Sequence, residues 1–283
     1  MMSLAELETE TVNDRRLDLI DSTHLYRATV EDAFGTVHGR EAVRDRRMAE
    51  AQAIVGDGIS IQVDLGDMIV FETGAGWSGH RWARREGDRI VGETLIVDAG
   101  LRAMKAGLDV GAEAAALGGA HPAHAALGEL RPGRGQLAED KAPRLPHDWP
   151  AGAKDAATLL HRVWNTRAIG LIDTGRWIGP DGLSGDAAMQ MRWTADLMAA
   201  LPDIVLLFER AIVSGDRVAI LWRLHGHHLG EGLGHTPTGK RVRALGSSVL
   251  TIADGRVVED RTMLDTLALR AQLHRPEISY TGR

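Results

Sequence analysis

The chain contains no cysteine. Disulfides, thiol nucleophiles and thiolate metal sites are therefore excluded from the start. Phe and Tyr are scarce, with three and two copies against seven Trp, so aliphatic side chains must fill most of any core. No apolar run approaches the roughly 18 residues that a membrane-spanning helix needs. The opening MMSLAELETETVNDRR is acidic, without the apolar core of a secretory signal. Long basic runs are missing, and 33 Lys and Arg face 39 Asp and Glu for a net charge of −6. These absences argue against nucleic acid or a membrane as partner, and they leave a cytoplasmic location as the expectation. Nucleophile and phosphate signatures are also lacking. GLSGD (182–186) has no glycine two residues after its serine, and GEGLGHTPTGK (230–240) has no strand–loop–helix setting.

What is present is a repeat. NDRRLDLID (13–21) and NTRAIGLID (165–173) agree at five of nine positions. HGREAVRDRRMAEA (38–51) parallels SGDAAMQMRWTADL (184–197), GDMIVF (66–71) parallels GDRVAI (215–220), and REGDRIVGETLIVD (85–98) parallels IADGRVVEDRTMLD (252–265). Four blocks in one order point to two copies of one unit. At 283 residues, 44% of them apolar, the chain can bury two cores. Residues 1–110 are assigned to the first domain and 153–283 to the second. An Ala/Gly/Pro-rich linker joins them over 111–152, with a short helix or two before an extended stretch. Its length lets the copies lie side by side as an intramolecular pseudo-dimer, with further homodimerisation left open.

Within the second copy, helices come first, and Pro202 stops the third. IVLLFERAIV, RVAILWRLHGHH, RVRALGSSVLTIA and RVVEDRTMLD then read as strands joined by SGD and ADG turns. An antiparallel sheet curled onto helices is an α+β layout with a concave hollow, the expected place for function. Strict alternation puts Val257, Glu259, Arg261, Met263 and Asp265 on one face of the last strand and Val258, Asp260, Thr262 and Leu264 on the other. Asp265 then stands at the strand end beside the hollow. It is also placed to cap the helix that follows, as Asp98 is in the first copy.

Residues 164–273 resemble the SnoaL-like polyketide cyclases, within the fold group named for nuclear transport factor 2. The resemblance rests on Trp164-Asn165, on the hairpin GHHLGEGLGHTPTGK (226–240), on DGRVVEDRTMLD (254–265), and on Gln272-Leu273. It implies two tandem cone-shaped α+β domains, each a curled antiparallel sheet wrapped on N-terminal helices. It implies no metal and no organic cofactor, and a small-molecule substrate of aromatic or polyketide type. Asp265 occupies the position of the family's general acid/base for intramolecular aldol closure or isomerisation of a carbonyl compound. His228 matches the hairpin histidine and is a candidate to assist it. Arg261 replaces the family's aromatic four residues before the aspartate; on the same strand face it would favour ionised Asp265 and lower its pKa. Gly232 stands where a bulky Phe is usual.

Trp193 and Trp222 are candidates to line the cavity, with Trp164 and Met263 beside them. His225 and His227 share a strand face in ligand-like geometry, although no carboxylate completes an obvious metal set. The first copy keeps Asp98, has Thr94 in the place of Arg261 and Val12-Asn13 in the place of Trp-Asn, and lacks the histidine hairpin. It is expected to be degenerate and mainly structural. Three readings of function follow: acid–base chemistry at Asp265, epoxide-hydrolase-like activation of water by Asp265 with Arg261, and a ligand-binding module without catalysis.

Overall fold

A computed structural model describes residues 2–33, 35–54, 58–120 and 145–275. The first copy runs through α1 (Leu4–Asn13), α2 (Leu19–Thr23), β1 (His24–Asp32), β2 (Gly35–His38), α3 (Arg40–Ala53), β3 (Ile59–Asp64), β4 (Met68–Thr73), β5 (Ser78–Glu86), β6 (Arg89–Val97) and α4 (Ala99–Lys105). After α5 (Val110–Ala120), the second copy runs through α6 (Ala151–Trp164), β7 (Arg176–Ile178), β8 (Ser184–Gly185), α7 (Ala187–Ala200), β9 (Val205–Ser214), β10 (Arg217–His227), β11 (Arg241–Ala253), β12 (Arg256–Leu264) and α8 (Thr266–His274). Most of the proline-rich linker, 121–144, lies outside the described residues.

The two sheets have one topology. Their strand orders are β2-β1-β6-β5-β4-β3 and β8-β7-β12-β11-β10-β9. The tandem α+β architecture is thus present in both copies. One detail differs from a purely antiparallel sheet, because β1 pairs with β6, and β7 with β12, in parallel. The meander begins only after the crossover through α3 or α7, so the strand before that helix meets the last strand running the same way.

Local chemistry explains the elements. Ser3 and Glu6 form a reciprocal capping box at the start of α1. Asp254 and Gly255, both at positive φ, make the tight turn from β11 into β12. The repeated asparagine has a structural task. Asn165 accepts from the backbone N–H of Leu206 at 2.8 Å and donates to the same residue's carbonyl at 3.0 Å, acting as a one-residue strand partner for β9. Asn13 does the same to Ile59, at 2.7 and 3.2 Å. Replacing buried Asn165 by Ala should cost about 2–3 kcal/mol in urea denaturation, through two lost bonds and a stranded backbone pair. The same change at the exposed Asn13 should cost less, because water replaces the lost partner.

A bulge decides which side chains face inward. Thr251 pairs with Glu259, but Ile252 pairs with Val257, so Val258 is the extra residue. The first copy repeats this at Val91, between the pairs Arg84–Gly92 and Arg85–Ile90. A bulge shifts alternation by one. Val257 therefore joins Asp260, Thr262 and Leu264 on the inner face, while Glu259, Arg261, Met263 and Asp265 stay outside. Strict alternation fails at Val257 for that reason.

The three largest of five buried clusters among the described residues define the cores. Trp164, Leu160, Leu197, Trp222, Leu250 and Leu264 belong to the second domain's core; Leu7, Ile69, Phe71, Trp77 and Leu95 belong to the first. The third joins the outer faces of both sheets: Val63, Met68, Val70, Trp82 and Ile96 meet Ala219, Leu221, Leu245, Val249 and Met263. Trp82 Nε1 donates across this interface to Ser247 Oγ at 3.0 Å. The copies pack sheet against sheet, an intramolecular pseudo-dimer.

Candidate active site

The second domain encloses a chamber of about 230 Å³ between α6, α7 and the inner face of β11 and β12, lined by Leu160, Trp164, Gln190, Thr194, Val257 and Asp260 among others. Asp260 is its acid. It is 2% exposed, with Oδ2 accepting from Gln190 Nε2 at 2.6 Å and Oδ1 accepting from Thr262 Oγ1 at 2.8 Å. Thr262 stands 3.2 Å from Ser248 Oγ, which accepts from Trp222 Nε1 at 3.2 Å. Thr262 gives its only proton to Asp260, so Ser248 must donate to Thr262. Every donor in the relay from Trp222 through Ser248 and Thr262 therefore points towards Asp260. Burial pushes the Asp260 carboxyl up to about 6, while the bonds from Thr262 and Gln190 pull it back.

The first domain tests what sets this value. Glu93 holds the matching inner position on β6, Arg81 holds the position of Ser248, and Arg47 reaches in from α3. Arg81 Nη1 lies 3.3 Å from Glu93 Oε2 and Arg47 Nε 3.6 Å from it. Glu8 and Glu50 pair with the same guanidinium groups. Burial alone would raise Glu93, but the two arginines overcome it and hold the group well below the usual carboxylate range. One register, two copies and two opposite carboxylates follow from the presence or absence of two guanidinium groups.

The residues singled out in the sequence are dispersed. Asp265 is N-cap of α8: Oδ1 accepts from Ala268 N–H at 2.9 Å. It is 2% exposed on the outer face of its sheet, towards the first domain rather than in the Asp260 chamber. Arg261 does not lower its pKa. Arg261 Nε donates to Glu259 Oε1 at 2.7 Å, no ion pair joins Arg261 to Asp265 among the described residues, and burial pushes Asp265 up to about 7. The arrangement for an Asp265–Arg261 water-activating pair is not formed. Asp98 mirrors Asp265, capping α4 through Leu101 N–H at 2.9 Å and reaching Gly182 N–H of the second domain at 3.2 Å.

His228 is 0% exposed and ties the hairpin together. Its Nδ1 accepts from Thr238 N–H at 3.2 Å, so Nε2 is the nitrogen that donates, to the Gly232 carbonyl at 3.2 Å. Cutting it to Ala should expose residues 228–240 to limited proteolysis without altering chemistry in the chamber. His227 Nδ1 is held by Asp203 Oδ2 at 2.6 Å. Among the described residues no three His, Asp or Glu side chains form a group able to hold a metal ion.

Trp164 lines the chamber. Trp193 stands behind it, edge-on at 5.7 Å, and tilts on Trp177 at 5.4 Å. Trp222 starts the relay rather than lining the chamber, and Met263 packs between the sheets. Asp260 was the residue sequence reasoning passed over. Its signal was in the repeat: aligning the last blocks sets Glu93 on Asp260, an acid at one inner position twice.

Residues 154–273 match the family model described as SnoaL-like polyketide cyclase. The second domain is SnoaL-like. Similar solved structures include a protein of Jannaschia sp. CCS1 provisionally described as a SnoaL-like polyketide cyclase, at 23% identity over 47% of this chain and 100% of that one, TM-score 0.40. AclR of Streptomyces galilaeus, provisionally described as a hydroxylase, shares 24% identity over 46% of this chain and 90% of that one, TM-score 0.40. IdmH of Streptomyces antibioticus, provisionally described as a polyketide cyclase, shares 22% over 43% and 97%, TM-score 0.39. Among curated proteins none matches this chain. No helix of the described residues is long and apolar enough to cross a membrane.

Proposed function

We propose that the SnoaL-like domain catalyses proton transfer on a small carbonyl compound, with Asp260 as acid/base. The carrying observation is a buried carboxylate with a pKa raised to about 6, at the wall of an apolar chamber, oriented from two sides. As carboxylate it removes a proton from carbon flanked by carbonyl groups. The enolate either attacks a second carbonyl, closing a ring whose new alkoxide takes the proton from Asp260, or takes that proton back at another carbon. Gln190 holds Asp260 through Nε2, and its Oε1 is buried without a partner, free to accept from a substrate hydroxyl. Trp164 offers a flat apolar wall.

The test is solvent deuterium exchange into the α-carbon of a β-dicarbonyl compound, followed by NMR. Proton removal needs ionised Asp260, so the rate should rise as pH increases through about 6 and level off above it. A flat profile between pH 4 and 8 removes Asp260 as the base.

A further inference from the structure

Two cavities meet at Asp265. One, of about 240 Å³, lies between the domains and includes Glu31, Arg223, Arg243 and Gln272 in its wall. The other, of about 250 Å³, is the chamber of the first domain, walled by Ile54, Phe71, Trp77, Arg81 and Arg102. Asp32, Ala33, Leu95 and Asp265 line both.

The charges facing these spaces are unevenly matched. Arg223 is held by Glu31 Oε2 at 2.8 Å and by Glu209, Arg81 by Glu8, Glu50 and Glu93, and Asp32 by Arg46. Arg243 is different. Gln272 clamps its backbone, accepting from its N–H at 3.0 Å and donating to its carbonyl at 2.8 Å. Its guanidinium forms no close ion pair among the described residues, and shares the charge of Glu31 with Arg223. Burial, then the neighbouring Arg223, disfavours its charged form by more than Glu31 favours it. His225 beside it is pushed down to about 4 by burial and by Arg241, Arg243 and Arg223. In the adjoining chamber Arg102 lies over Trp77 at 5.9 Å, again with no ion pair to a carboxylate among the described residues. The acid at the junction has a second unmet need: Asp265 Oδ2 is buried with no hydrogen-bond partner. A neutral carboxyl there is a donor in want of an oxygen acceptor.

We infer that these joined cavities bind a small amphipathic anion, its apolar body in the first domain's chamber and its carboxylate or phosphate on Arg243, with Asp265 hydrogen-bonded to a ligand oxygen between them. The excess positive charge selects an anion over a cation. Phe71, Trp77, Leu95 and Ile54 select an apolar, ring-sized body. The first copy is then a second binding domain, and its site is completed by a residue of the other copy. This reading does not rest on Asp260.

Calorimetric titration with 1-naphthoate and 1-naphthyl phosphate, against neutral 1-naphthamide, tests it. At least one anion should bind about tenfold more tightly than the amide, the worth of one charge-assisted contact. Its phosphate and carboxylate arms show which head group fits. R243Q should abolish that preference and R243K should keep most of it, with melting temperatures near the parent's. D260N should bind the anion normally. Equal binding of anion and amide, no binding of either, a preference that survives R243Q, or one lost in D260N would each overturn the proposal.

Discussion

Asp260→Asn should lower α-proton exchange by about 10³-fold, within the range for loss of a positioned general base, while circular dichroism and melting stay near the parent's. The amide is isosteric and cannot take a proton at the pH of the assay. Gln190 and Thr262 donate to different oxygens of Asp260, and Asn keeps only one of these as an acceptor, so one of the two bonds is lost, at a cost of about 1 kcal/mol. That small structural cost separates a chemical loss from a folding one. A supporting contrast comes from the first domain. Glu93→Gln should leave exchange untouched, because Arg47 and Arg81 already keep that carboxylate ionised and paired. It should destabilise the protein instead, by stranding buried guanidinium groups. Exchange that persists in Asp260→Asn at the parent's rate would end the acid–base proposal for this chamber.

Asp265→Asn should stabilise the protein, by an amount that depends on pH. The unfolded carboxyl titrates near 3.8 and the folded one near 7. Between these values the folded chain keeps a proton that the unfolded chain releases, so this group's contribution is most favourable below pH 4 and declines as pH rises to 7. Asn carries no such penalty and still caps α8 through its carbonyl. The gain should be near zero at pH 4 and reach on the order of 2–4 kcal/mol above pH 7. Denaturation at pH 4, 6 and 8 checks it. A uniform loss at all three would mean that Asp265 is ionised and paired in the folded protein. The same variant keeps α-proton exchange if Asp260 is the base and loses it if Asp265 is, which makes the pair of substitutions decisive.

Much of the architecture was legible because duplication writes it twice. The asparagine blocks at Asn13 and Asn165, the Gly-Asp turns and the paired final strands required only local hydrogen bonding and hydrophobic patterning, and the tandem α+β layout followed. The capping of α8 by Asp265 was also open to view, since aspartate before a helix has that use wherever it occurs. The inward face of β12 was not. Alternation runs from the turn at Gly255, and one extra residue at Val258, invisible in composition, reverses it, moving Val257 inside and leaving Arg261, Met263 and Asp265 outside.

Sequence by itself determined that there are two copies, that each is helices followed by a curled sheet, and that an acid recurs at one position of the last strand in both. Tertiary structure alone decided which acid is basic near neutral pH. That depends on whether arginines from a distant helix and a neighbouring strand converge on it, as Arg47 and Arg81 do on Glu93, or whether neutral donors stand there, as Gln190 and Thr262 do around Asp260. Coulomb interactions act through space, so residues far apart in the chain set the chemistry of each site.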